Sequence, residues 1–168
     1  YIDELDKFQS NTETFVAMKV FIENWRWAGV PFYLRTGKRL KQQGAEIIVQ
    51  FKDVTHNVYA KVNQTLKPNK LIITLQPEEK IQLRLMANDI QGGSTSIAPI
   101  FLNLDFCANQ DHPYSSAYQR LLLDAINGNS TLFIHRDEVK AAWMWVDPII
   151  EHWKAADTAP ELYTAGTW

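Results

Sequence analysis

Between Thr14 and Phe106 apolar residues return at every second position in a series of short runs; after His112 they return at every third or fourth. A period of two belongs to strands, whose successive side chains point to opposite faces, and a period near 3.6 belongs to helices. A block of strands followed by a block of helices predicts an α+β fold. Short polar connections between consecutive strands favour a largely antiparallel sheet of about six or more strands.

In the first run Val16, Met18, Val20 and Ile22 share one face, and Phe15, Ala17, Lys19 and Phe21 the other. Both faces are apolar enough to be partly covered. Residues 24–28 fit one helical turn, stopped by Gly29 and Pro31. Further strands are expected over residues 32–40, 45–52, 70–76, 80–86 and 100–106. In the fifth, Ile81, Leu83 and Leu85 point inward and Gln82 and Arg84 outward. A helix follows from Tyr118, Leu121, Leu122 and Ala125, with Gly128 where a helix C-terminus favours glycine. A second begins near Asp137, and its stripe holds Val139, Ala142, Trp143, Val146, Ile149, Ile150 and Trp153. Pro148 lies inside that stripe and is expected to kink or split the helix. Both helices are expected to cover one face of the sheet.

With 168 residues the chain is expected to be a single domain. A compact domain of this size buries roughly 70% of its unfolded surface, so a core is expected, with Trp143 and Trp153 in it. Trp145 falls off the stripe and suits an interface better. A net charge of −2 argues against a nucleic-acid partner. No apolar run is long enough for a bilayer-spanning helix, and no cluster of cations suggests a lipid surface, so no membrane partner is expected. Cys107 is the single cysteine, which excludes an internal disulfide and fits a cytoplasmic location. The acidic N-terminus lacks a signal-peptide pattern, and residue 1 is not Met, as in a fragment or a processed chain.

Residue chemistry alone points to few sites. His56, His112, His135 and His152 are not spaced as a metal pair, and one cysteine adds no zinc set, so no metal is expected. Gly92-Gly93-Ser94 lacks the pattern of a nucleotide-phosphate loop. Asp137 and Glu138 suit a helix N-terminus, and Asp124 follows Arg120 at helical spacing as a surface pair. The cations Arg35, Lys38, Arg39 and Lys41 remain. If the second strand runs to residue 40, Arg35, Arg39 and Lys41 share one face and Lys38 takes the other. An ammonium there can donate three hydrogen bonds to a sugar phosphate. On these residues alone a solvated strand end is the simpler reading.

Several blocks in order carry a family resemblance. They include Asn24-Trp25-Arg26-Trp27-Ala28-Gly29-Val30-Pro31-Phe32 and Leu34-Arg35-Thr36-Gly37-Lys38. Gln76-Pro77 with Glu79, the run from Ala117 to Asp124, and Arg136-Asp137-Glu138-Val139 with Trp145-Val146-Asp147-Pro148 follow. Tyr163-Thr164-Ala165-Gly166-Thr167-Trp168 closes the series. Together they resemble the C-terminal, substrate-side domain of glucose-6-phosphate dehydrogenase. That resemblance implies an enzyme oxidising glucose 6-phosphate to 6-phosphogluconolactone with NADP. It also implies that the dinucleotide-binding domain, with the general base, is absent here. No catalytic residue is then expected in this chain, and the fragment alone is expected to be inactive.

By position, the resemblance makes Lys38 a substrate contact and Gln76 a lining residue of the same site. The family's second basic residue, five places after the lysine, corresponds to Gln43. Either Lys41 replaces it through a shifted turn, or the substrate is held with one charge fewer. A second, structural NADP site of some members matches cations only at Arg35 and Arg84, while Gly44 and Thr74 stand where others are needed; that site is expected to be absent. The family's sheet also implies self-association as a dimer or tetramer. The competing reading is a stand-alone, non-catalytic binding or assembly module of the same fold.

Overall fold

The computed structural model describes residues 11–56, 66–89, 96–105, 117–156 and 159–167. Cys107, His112 and the Gly92-Gly93-Ser94 loop lie outside these residues. Six strands and two helices follow in chain order: β1 Phe15–Phe21, β2 Pro31–Gly37, β3 Ala45–Gln50, β4 Lys70–Gln76, β5 Lys80–Asp89, β6 Ser96–Asp105, α1 Ala117–Ile126 and α2 Arg136–Ala155. Strands then helices is the α+β order that the change of period predicts. Two compact units divide the chain: Tyr1–Lys41 with Tyr114–Trp168, and Gln42–Pro113.

In the first unit β1 and β2 form an antiparallel pair, with Phe15 opposite Gly37 and Phe21 opposite Pro31. The connection contains the predicted helical turn. Asn24 Oδ1 accepts from the N–H groups of Arg26 (3.1 Å) and Trp27 (2.8 Å), and the Ala28 N–H donates to Asn24 O at 2.9 Å. An asparagine that caps a turn with its own side chain is a local signal, which is why the sequence alone reveals it. Gly29 follows at φ +76, a conformation that favours glycine.

Helix α1 ends as expected, with Gly128 at φ +69. The Asp124 carboxylate accepts from Asn129 Nδ2 at 3.0 Å, so its partner beyond the helix end is Asn129 and not the expected Arg120. Helix α2 runs unbroken through Pro148. Its N-terminus is closed reciprocally: the Asp137 N–H donates to His135 Nδ1, and the His135 N–H donates to Glu138 Oε2, both at 3.3 Å.

In the second unit β3 to β6 form one antiparallel sheet in sequence order. The strands are thus divided between a two-stranded and a four-stranded sheet. The register of the larger sheet aligns residues of like character. Ile47, Ile73, Ile81 and Leu104 stand in one row, and Val49, Leu71, Leu83 and Leu102 in another. Leu85 opposite Ile100 and Ala87 opposite Ala98 extend the same face, so these four rows are aliphatic. The other face mixes Ile48, Ile72, Met86 and Phe101 with Lys70, Gln82, Arg84 and Asn103. Gln82 Nε2 donates to Asn103 Oδ1 across it at 2.8 Å.

The expected core is not found among the described residues: none is buried, and Leu102 and Leu104 on the aliphatic face are 56% and 55% exposed. Trp143 and Trp153, assigned to a core by their place on the helix stripe, are 58% and 40% exposed. Periodicity identifies a face that gains by burial; it does not say that the covering surface lies in the same segment.

Candidate functional site

Strand β2 ends at Gly37, three residues short of the expected boundary. The alternation that set Lys38 on the face opposite Arg35, Arg39 and Lys41 therefore does not reach Lys38. The lysine stands instead on a turn just beyond the strand. Space explains the glycine before it. A Cβ on Gly37 would lie 2.6 Å from Phe15 Cδ2 and 3.4 Å from both Leu40 methyl carbons. Any side chain at residue 37 would therefore displace the ring of its cross-strand partner.

The turn is tied down on several sides. The Lys38 N–H donates to Thr14 O at 2.8 Å. The Lys38 carbonyl accepts from the Tyr163 hydroxyl at 2.7 Å. Arg39 adopts φ +50, a left-handed conformation that costs a residue with a Cβ about 1–3 kcal/mol unless neighbours hold it. Its carbonyl accepts from the Gly166 N–H at 2.9 Å, and the Lys41 N–H donates to Thr167 O at 3.2 Å. The Lys38 side chain is exposed. The result is an exposed cation whose backbone is fixed, an arrangement that suits an anionic or polyhydroxyl ligand.

Gln43 and Gln76 belong to the second unit, where strand pairing brings their segments together. Ala45 is opposite Gln76, and the register shifts between Ala45 and Glu46. A Cβ at Gly44 would stand 3.4 Å from the Gln76 carbonyl oxygen, so the backbone after Gln43 runs close to Gln76. The Gln76–Pro77 peptide is cis. Both glutamines are exposed. Lys41 belongs to the first unit with Lys38. Of the two cations matched to the structural NADP site, Arg35 lies on β2, while Arg84 on β5 donates to Pro68 O at 3.1 Å.

The contacts that sequence reasoning missed are those of Thr14 and Tyr163. Tyr163 falls in a recognisable block, but no spacing rule links a residue before the first strand with one 125 positions beyond Lys38. Among the described residues no group of three His, Cys, Asp or Glu side chains is placed to hold a metal ion. Among them, too, no helix is long and apolar enough to cross a membrane.

The whole chain, residues 1–168, matches the family described as glucose-6-phosphate dehydrogenase, C-terminal domain. It is 48% identical over 167 residues to a glucose-6-phosphate 1-dehydrogenase of Mycolicibacterium smegmatis, covering 99% of this chain and 34% of that protein. It is 47% identical over 171 residues to the protein of the same description from Zymomonas mobilis, covering 100% of this chain and 35% of that protein. A solved structure, glucose-6-phosphate dehydrogenase in complex with its substrate glucose-6-phosphate, superposes with a TM-score of 0.86 at 30% identity. That match covers 99% of this chain and 34% of the other. The chain thus spans about a third of the length of the relatives it matches.

Proposed function

The chain belongs to the glucose-6-phosphate dehydrogenase C-terminal domain family, and from that premise we propose that it is the substrate-side domain of an enzyme that oxidises glucose 6-phosphate to 6-phosphogluconolactone with NADP. The observation that carries this reading is the match over all of residues 1–168. Residues 1–168 then act as one domain behind a dinucleotide-binding domain, in a cytoplasmic enzyme. That other domain binds NADP and supplies the general base, and no metal takes part. Alone, this chain would be inactive, because hydride transfer requires the nicotinamide to be held against the sugar carbon.

Within that enzyme Lys38 donates hydrogen bonds to the phosphosugar, and Gln76 lines the same site. Gln43 offers an uncharged donor where the resemblance implies a second cation. The fixed backbone and the exposure of Lys38 support its role. A charged hydrogen bond to a ligand contributes about 1.5–3 kcal/mol, so Lys38→Ala in the complete polypeptide should raise KM for glucose 6-phosphate about ten- to a hundredfold. KM for NADP should stay unchanged. Steady-state kinetics check this, and a wild-type KM for the sugar would remove Lys38 from the site.

The two faces of the β3–β6 sheet suit two further roles. The aliphatic face suits a permanent apolar cover in the complete protein. The mixed face, with Phe101, Met86 and Arg84, has the composition of an interface between copies, where aromatic residues, Met and Arg are enriched. Self-association through that face is the assembly this reading expects.

A further inference from the structure

We propose that Tyr163 is a positioning residue for substrate: its hydroxyl fixes the backbone from which Lys38 reaches the phosphosugar. The proposal rests on the reading of Lys38 given above. A phenol hydroxyl has one proton to donate. Three oxygens lie within reach of Tyr163: the Lys38 carbonyl at 2.7 Å, and the carbonyl and Oγ1 of Thr14, each at 3.2 Å. The shortest of the three receives the proton, so the donor bond goes to Lys38.

The ring is held independently of that bond. It lies 5.7 Å, centroid to centroid, from Phe15 at an interplanar angle of 56°. Phe15 is also the residue whose ring fills the space beside Gly37. One aromatic contact thus locates both the strand end before Lys38 and the hydroxyl that grips its carbonyl. The Thr14 carbonyl takes the Lys38 N–H, so both backbone polar groups of the lysine are used within one small cluster.

A lysine needs such a support more than a short side chain does. Its four-carbon stem has many rotamers, and the reach of the ammonium depends on where its Cα is held. Displacement by about 1 Å at a reacting or binding group costs as much as 10²-fold in rate. The left-handed φ of Arg39 makes the turn intrinsically unfavourable, so it persists through its external ties. Those ties come from residues 14 and 163–167, at opposite ends of the described chain.

The test compares Tyr163→Phe, Lys38→Ala and the double variant in the complete dehydrogenase polypeptide, with glucose 6-phosphate and NADP as substrates. Phenylalanine keeps the ring contact with Phe15 and removes only the hydroxyl. The expected result is a KM for glucose 6-phosphate raised about two- to tenfold, the size of one neutral hydrogen bond. The nucleotide KM and the melting temperature should stay near wild type. In the Lys38→Ala background Tyr163→Phe should add nothing, because no ammonium remains to be placed. If Tyr163→Phe has a wild-type sugar KM while Lys38→Ala does not, the positioning role fails and the substrate reading stands. The role fails as well if Tyr163→Phe multiplies the Lys38→Ala defect undiminished. A wild-type KM in Lys38→Ala overturns the reading of Lys38 and the proposal with it.

Discussion

The two faces of the β3–β6 sheet are built from the same four strands, yet they differ in what they can specify. On one, rows such as Val49–Leu71–Leu83–Leu102 contain only aliphatic side chains. On the other, the neighbouring row Ile48–Ile72–Gln82–Asn103 ends in a cross-strand hydrogen bond. Hydrophobic attraction is non-directional and scales with area, so an aliphatic face gains from any cover of matching shape. Polar groups demand partners in fixed places and penalise a wrong one. The first face suits a permanent internal contact; the second suits a contact that must select its partner.

The most severe way to break this distinction is a charge in the middle of the aliphatic face. Leu83 lies on β5 between Leu71 and Leu102. Leu83→Asp removes half-buried apolar surface and places a carboxylate where no described neighbour on that face can accept it. A loss of about 3–5 kcal/mol is expected in the complete polypeptide, measured by denaturant unfolding. A loss below about 1 kcal/mol would mean that this face stays open to water. The strands would then be held by their ladder and by the opposite side.

A charge on the mixed face should act differently. Phe101 is half-exposed on β6, opposite Arg84. In Phe101→Glu the new carboxylate can remain solvated in the separated chain, and so folding should survive. Where a second copy covers the position, desolvating that charge costs several kcal/mol. If the proposed self-association uses this face, the variant folds and sediments as a monomer at concentrations where the parent associates. An unchanged sedimentation coefficient would move the interface off this face.

How much of this was legible in the sequence depends on how local each cause is. The β4 bounds were correct at both ends, because its apolar run is closed by Pro77. The Asn24 turn and the Gly128 helix end were legible for the same reason: each is caused by residues within a few positions. The end of β2 was not. It falls at Gly37 because its ladder partner β1 begins at Phe15, a cross-strand cause, so Lys38, Arg39 and Lys41 stand beyond the strand. Lys38 itself was found by resemblance, since its charge alone suits a solvated strand end equally well. The Tyr163 contact was invisible because it joins residues 125 positions apart. The absence of burial on the apolar stripes was invisible for a third reason. Amphipathicity records a demand for cover without naming its source.

The smallest effect gives the finest reading of the mixed face. Gln82→Ala leaves Asn103 without its 2.8 Å partner. In the separated chain Asn103 is exposed, water replaces the lost donor, and the cost is about 0.5 kcal/mol or less. If a second copy covers the row, the Asn103 oxygen is left unpaired away from water, and the cost rises to about 1–3 kcal/mol. The same substitution should therefore scarcely change unfolding of the monomer while weakening association about five- to a hundredfold. Unfolding of the Phe101→Glu monomer with and without Gln82→Ala gives the first quantity. A dilution series of Gln82→Ala alone gives the second. Equal costs in the two experiments would mean that the Gln82–Asn103 pair meets water in both states and lies outside the interface.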